Sequence, residues 1–331
     1  MQFLRLFRKS GKRFLKRLFQ VTNRQPLATM ANATIERLTA TRSKSTIDNY
    51  RTALRSFLSY AGTQLTLSDI DASTIMGYQM WLRDRGITLN TSSCYMRSLR
   101  SLLVNITGQR ATADLFSEVF TGNTKTIKRS VSPQDIGRLQ QQPLAHHSPL
   151  RFFRDIFIFC FYALGMPFVD VAFLRRSQIK DGYIQYHRHK TGQLVRCKIE
   201  QPMQDIINKY ARKDSDYLFP LLTHTDHRQA MRQYETLLRR YNLTLRKLSQ
   251  QAGIPHLTSY VARHSWASMA YENNVSLPVI SKALGHTSTQ TTLIYIRDIS
   301  DKRIDKANKE LIQNMARITH AVSEKTALDY C

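Results

Sequence analysis

Four residues in the second half of the chain have types and spacings that suit chemistry on a phosphate. Arg263 stands in Tyr260-Val261-Ala262-Arg263-His264, His286 follows Leu284-Gly285, and Tyr295 comes nine residues after that histidine. Lys190 lies far upstream, in His189-Lys190-Thr191-Gly192. A phosphodiester can be cut without metal or ATP when a nucleophile stores the bond energy as a covalent ester. A tyrosine phenol suits that task, because phenolate is a tolerable leaving group when the reaction reverses. Negative charge then builds on the non-bridging oxygens, and planar, multidentate arginine meets it well. The departing oxygen also needs a proton from a general acid. Taken singly, each residue has a plain structural alternative. For Arg263 it is an exposed helix arginine, for His286 a corner histidine, and for Tyr295 a core ring among Leu293, Ile294 and Ile296.

The elements that must position these residues are mostly helices. After an Asp181-Gly182 turn, residues 183–188 and 194–199 read as two strands, which puts Lys190 at the tip of a hairpin. Helices are expected at 202–212, about 226–240, about 243–252, 260–272 and 277–284. The last ends at Gly285, so His286 occupies the corner, and a short helix capped by Thr287 or Ser288 carries Tyr295. Upstream, Phe152, Phe153, Ile156, Phe157, Phe159 and Phe161 mark a strongly apolar helix. Pro167 should end or kink it, and Asp170, Val171 and Leu174 begin the next. Ser132-Pro133-Gln134-Asp135 combines an N-cap, a proline at the first helical position and an acid at the third, so a domain is expected over 133–300. Residues 122–132 are polar and basic, as a linker would be. Residues 32–121 read as a helical bundle, with helices after Ser45 (capped with Asp48), Asp71 and Asn90. Lys44, Arg51, Arg97 and Arg100 are its expected DNA-contacting cations; the plain alternative is an ordinary solvated bundle.

Composition favours a polyanionic partner. The 331 residues carry 49 Lys and Arg against 24 Asp and Glu, a formal net charge of +25. Phosphate neutralisation and counterion release drive binding by such chains, although a ribosome-associated or merely basic protein has the same signature. Cys94, Cys160, Cys197 and Cys331 are scattered without a C-x-x-C pair, which argues against a zinc site or disulfide framework and fits a reducing cytoplasm. No apolar run approaches the roughly 20 residues of a membrane span. Residues 1–31 begin with a basic amphipathic segment that reads as a DNA-contacting arm, a membrane-surface helix or a poorly ordered tail, and Met30 offers an alternative start.

The order Lys190-Thr191-Gly192, Ala262-Arg263-His264-Ser265, Leu284-Gly285-His286 and Tyr295, after a basic helical domain, resembles the tyrosine recombinases, or phage-integrase family, over about residues 35–300. The resemblance implies a mainly α fold with a small β-hairpin or sheet (α+β): a helical SAM-like core-binding domain followed by a catalytic domain. It makes Tyr295 the nucleophile, Lys190 the general acid, Arg263 the second catalytic arginine and His286 a phosphate ligand, with Asp170 at the family's acidic supporting position. It implies a site-specific recombinase, an integrase or invertase acting through a 3′-phosphotyrosine, with no metal and no cofactor. Its partners would be double-stranded DNA, other copies of itself in a synaptic tetramer, and accessory DNA-bending proteins. It would reside in the cytoplasm on the nucleoid, not on a membrane. Residues 301–331, with Ile304, Leu311, Ile312, Met315 and Ile318, would form a tail exchanged between protomers.

Two positions depart from the family pattern. Tyr260 replaces the histidine of H-x-x-R; it could still donate to phosphate, and neighbouring His264 faces elsewhere on the helix as support. Pro167 occupies the first arginine's place in Gly165-Met166-Pro167-Phe168-Val169-Asp170, and Leu164 fills an alternative position used by some relatives. Arg154, Arg175 or Arg176 would have to compensate. The vacancy motivates a rival reading, a non-cleaving DNA-binding protein on a decayed recombinase scaffold. Relaxation of supercoils by the same chemistry is a third.

Overall fold

The computed structural model describes residues 25–108, 112–124, 130–212, 214–294 and 296, with 308, 309, 312, 313 and 315 further on. The basic segment 1–24, most of the 301–331 tail and Tyr295 lie outside the described residues. The chain divides into two compact units between Thr126 and Ile127.

The first unit consists of α1 (Leu27–Leu38), α2 (Lys44–Ala61), α3 (Ala72–Asp84), α4 (Leu89–Thr107) and the single turn α5 (Thr112–Leu115). Its core gathers Leu27, Ile35, Phe57, Ile75, Tyr78 and Leu99. Helix α1 starts upstream of residue 32: Leu27 and Ala31 are wholly buried, and Leu27 N donates to Leu65 O at 2.7 Å. Ser43, not Ser45, caps α2, its Oγ accepting from Thr46 N at 3.3 Å. Asp71 caps α3 as expected, accepting from Thr74 N at 2.8 Å. Residues 121–124 are held against α4. Asn90 brackets Thr124 through both its N–H (2.8 Å) and its carbonyl (3.1 Å), and Ser93 Oγ donates to Gly122 O at 2.6 Å.

The first helix of the second unit is α6 (Pro133–Gln141), whose capping box is the one the sequence spells out. Ser132 N donates to Asp135 Oδ2 at 3.0 Å, and Asp135 N donates back to Ser132 Oγ at 3.1 Å. Helix α7 (Pro149–Tyr162) runs through the core, with Ile156, Phe157 and Phe159 fully buried and Phe159 edge-on to Phe219 at 4.8 Å. It ends before Pro167, which N-caps the short α8 (Phe168–Ala172). An antiparallel sheet follows in the order β1 (Ile179–Lys180), β2 (Tyr183–His187), β3 (Leu194–Lys198), one strand more than expected. Consecutive positive φ angles at Asp181 (51°) and Gly182 (74°) make the tight β1–β2 turn.

After α9 (Gln201–Tyr210), α10 (His227–Gln251) is one helix of 25 residues where two were expected. Asn242 and Thr244 weaken local propensity, but the neighbouring Tyr241 and Leu245 are buried and packing overrides it. Asn242 instead uses its side chain outside the helix, accepting from Ser259 N at 2.8 Å. Helices α11 (Val261–Glu272), α12 (Leu277–Leu284) and α13 (Thr289–Leu293) complete the unit. The fold is therefore mainly helical with one small sheet. No described helix is long and apolar enough to cross a membrane.

Candidate active site

Arg263 is only 1% exposed although it sits in the first turn of α11. Burying a guanidinium is costly unless its donors are matched, and backbone carbonyls match both terminal nitrogens. Nη1 donates to Gly165 O at 3.2 Å and Nη2 to Leu284 O at 2.6 Å. Gly165 lets the chain pass this close. Its φ is +66°, and a Cβ there would stand 2.8 Å from the Arg263 Cα. The Oγ of Ser265, on the same helix, receives Val131 N at 2.9 Å and so ties α11 to the start of the unit.

His286 leaves α12 through Gly285, whose left-handed backbone (φ 62°, ψ 44°) turns the chain into the corner. A Cβ at Gly285 would meet Val195 Cγ2 at 2.8 Å and Arg188 Cγ at 2.9 Å, so the corner is pressed against β3 and the strand end. The imidazole Nε2 lies 2.9 Å from Arg263 Nη2, and Nδ1 lies 2.9 Å from the Oγ1 of Thr292, a fully buried residue of α13. Arginine can only donate, so Nε2 accepts and the ring is neutral with its proton on Nδ1. Burial pushes the histidine's pKa down to about 4, helped by the positive charges of Arg263, Arg188 and Lys190.

Arg188 is the residue the sequence did not single out. It directly follows β2 at 6% exposure, with Nε donating to Asp170 Oδ2 at 2.7 Å and Nη1 donating to Leu284 O. Two guanidinium groups, Arg188 and Arg263, thus share one carbonyl at the end of α12. Asp170, 4% exposed, also receives His189 N on its other oxygen at 2.8 Å, so the acid carries the turn that presents Lys190. Burial pushes the Asp170 carboxyl upward, against the pull of His189 N–H and Arg188. Strand alternation was the available signal: Ile184, Tyr186 and Arg188 all face inward, and an inward arginine requires a buried acid.

The three arginines expected to compensate for Pro167 are engaged elsewhere. Arg154 binds Asp155 and the carbonyls of Gln140 and Gln142, Arg175 lies over the Tyr217 ring, and Arg176 donates to Arg212 O at 2.6 Å. Lys190 is exposed at the hairpin tip and makes no ion pair among the described residues, and Thr191 Oγ1 donates to Gly285 O at 3.3 Å, joining tip to corner. Tyr260 stands at the N-cap of α11, 47% exposed, its ring 6.4 Å from that of His264. Ser288 caps α13, accepting from Gln290 N at 3.2 Å, and the described stretch leading toward Tyr295 runs to Ile294.

In the first unit the four nominated cations are exposed but not equivalent. Arg97 is occupied by the Thr121 and Gly122 carbonyls (2.9 and 3.1 Å) and by Asn123 Oδ1, and Arg51 lies 4.0 Å from Glu36 and 3.8 Å from Asp48. Lys44 opens α2, and Arg100 makes no hydrogen bond or ion pair among the described residues.

Known proteins resemble the chain over both of its units. The chain matches the profile of the phage integrase family over residues 132–301 and that of the phage integrase SAM-like domain over 27–105. It is 23% identical over 269 residues to tyrosine recombinase XerC of Roseiflexus sp. (strain RS-1), covering 76% of this chain and 82% of that one. It is 26% identical over 199 residues to tyrosine recombinase XerA of Pyrococcus furiosus, covering 58% and 65%. In fold it resembles a lambda integrase (residues 75–356) dimer bound to a COC′ core site, with a TM-score of 0.63, 16% identity and coverage of 84% of this chain and 97% of that one. A Tn1549 transposon integrase in complex with transposon right end DNA gives 0.59 at 10% identity, covering 86% and 99%. With both of its units matched in order, the chain belongs to the phage integrase family, the tyrosine recombinases.

Proposed function

We propose that this protein is a site-specific DNA recombinase that cuts and rejoins duplex DNA through a 3′-phosphotyrosine at Tyr295. The observation that carries the proposal is the convergence of Arg263, His286 and Lys190 at the corner from which α13 leads to residue 295. The Tyr295 oxygen bonds to the scissile phosphorus as the bond to the 5′-oxygen breaks. The phenol gives its proton to solvent water, and the departing 5′-oxygen gains one, delivered by Lys190 from the hairpin tip. Arg263 and His286 meet the charge on the non-bridging oxygens; when phosphate arrives, His286 takes a proton from solvent and turns from acceptor to donor. Tyr260, at the position where the family pattern has histidine, serves in this proposal as a further hydroxyl donor to the phosphate, with His264 supporting it.

The family neighbours solved with DNA include a lambda integrase tetramer bound to a Holliday junction. The same partners are proposed for this chain: double-stranded DNA gripped by both units, and copies of itself at synapsis. The formal charge of +25 supports the first. The exposed Ile312 and Met315 of the C-terminal segment suit exchange between protomers. The test is a covalent adduct. Nicked suicide duplexes made from the DNA flanking the gene should trap wild-type protein on a denaturing gel and leave Tyr295→Phe untrapped. Equal adduct from both proteins would remove Tyr295 from the mechanism.

A further inference from the structure

Pro167 stands where the family pattern has its first arginine, and the three obvious substitutes are engaged elsewhere. We propose that Arg188 is the missing charge-stabilising residue: its free Nη2 donates to a non-bridging oxygen of the scissile phosphate beside Arg263. The proposal rests on the recombinase reading above and adds a catalytic residue to it.

Three observations carry it. First, Arg188 is anchored at two of its three nitrogens, by Asp170 at Nε and by the Leu284 carbonyl at Nη1, while Nη2 makes no hydrogen bond among the described residues. Such an anchored fork is preorganised, with one donor left for a ligand. Second, Arg263 donates to the same Leu284 oxygen at 2.6 Å, so the two guanidinium groups lie within the span of two hydrogen bonds of each other. Third, the local charge does not balance. Arg188, Arg263 and Lys190 all act on His286, while among the described residues one buried carboxylate, Asp170, is bonded to this cluster. Like charges brought together at low dielectric repel strongly, and an anion between them relieves that repulsion. A phosphodiester brings one negative charge and develops more as the phosphorane-like state forms.

A purely structural role for Arg188, as the partner of Asp170, makes a different prediction about the substrate. Replacing one non-bridging oxygen of the scissile phosphate by methyl gives a neutral methylphosphonate that needs less cationic stabilisation. On the ordinary suicide duplex, Arg188→Met should lose about 10²–10³ in cleavage rate, the usual loss for one such donor. On the methylphosphonate duplex it should cleave within about tenfold of wild type. Arg188→Lys, which keeps a charge beside Asp170 but not the fork, is the folding control. Its melting temperature should stay close to wild type while its cleavage of the ordinary duplex falls at least tenfold.

An equal defect of Arg188→Met on both substrates overturns the assignment and leaves Arg188 a structural residue. Full activity of Arg188→Lys on the ordinary duplex does the same. Absence of adduct from wild type on every duplex overturns the recombinase reading itself, and the role of Arg188 with it.

Discussion

Gly165→Ala should damage the site more than its size suggests, and the structure gives the reason in numbers. Alanine at φ +66° pays the left-handed penalty of about 1–2 kcal/mol. Its methyl would also stand 2.8 Å from the Arg263 Cα, a main-chain atom of α11 that cannot rotate out of the way. Overpacking of that kind costs about 1–3 kcal/mol more. Gly182→Ala isolates the first effect, because Gly182 has φ +74° and nothing within 4 Å of a built Cβ. The two variants should differ by about 1–3 kcal/mol in urea unfolding, or about 2–12 °C in melting temperature at about 2–4 °C per kcal/mol for a unit of this size. Activity should separate them further. Shifting Arg263 by even about 1 Å is worth about 10²-fold in rate, whereas the Asp181-Gly182 turn lies at the far end of β2 from the Lys190 hairpin tip. If the two variants melt together and cleave suicide duplex equally, the close approach of Gly165 does not position Arg263 and the reasoning fails.

Asp170→Asn should lose about 3–5 kcal/mol in chemical unfolding, because it strands the buried Arg188 guanidinium and sets an amide N–H against one of two donors; a change below about 1 kcal/mol would mean that the pair contributes little. His286 should titrate near pH 4 by NMR in the DNA-free protein and move upward when inorganic vanadate or phosphate occupies the site. The unfolded histidine takes up its proton below about pH 6.5, while the folded one waits until about 4, so stability should fall as pH drops through that window. His286→Asn should flatten that slope, and an unchanged slope would contradict the buried neutral ring. In the first unit, Arg100→Ala should reduce the log-affinity against log-salt slope by about 1. Arg97→Ala should instead loosen residues 121–123 and lower the melting temperature, since its guanidinium serves their carbonyls; equal salt effects from the two would refute that division.

Much of this architecture is legible in the sequence because local chemistry dictates it. The Ser132–Asp135 capping box, the Asp181-Gly182 turn, the left-handed Gly285 and the alternating strands around Lys190 are short-range effects, and each stands where its residues put it. What escaped depends on contacts between distant segments. The break expected near residue 241 disappears because Tyr241 and Leu245 are buried against the core. Helix α1 gains its start from Leu27 packing and a bond to Leu65, neither visible in a local window. Arg188 looked like a strand end beside a named lysine. Its meaning comes from Asp170, eighteen residues away, and Leu284, ninety-six away.

The shared acceptor of the two arginines is a main-chain atom, and that changes what mutation can reach. Substituting Leu284 would disturb its packing with Ala267, Ile280 and Ile296 but would leave the carbonyl in place. The anchor is therefore robust to any exchange of side chain and vulnerable to a change of register. A one-residue insertion or deletion between Ser281 and His286 would rotate the oxygen away from both guanidinium groups at once, with every nominated side chain still present. In this chain, spacing through that corner carries information that residue identity does not.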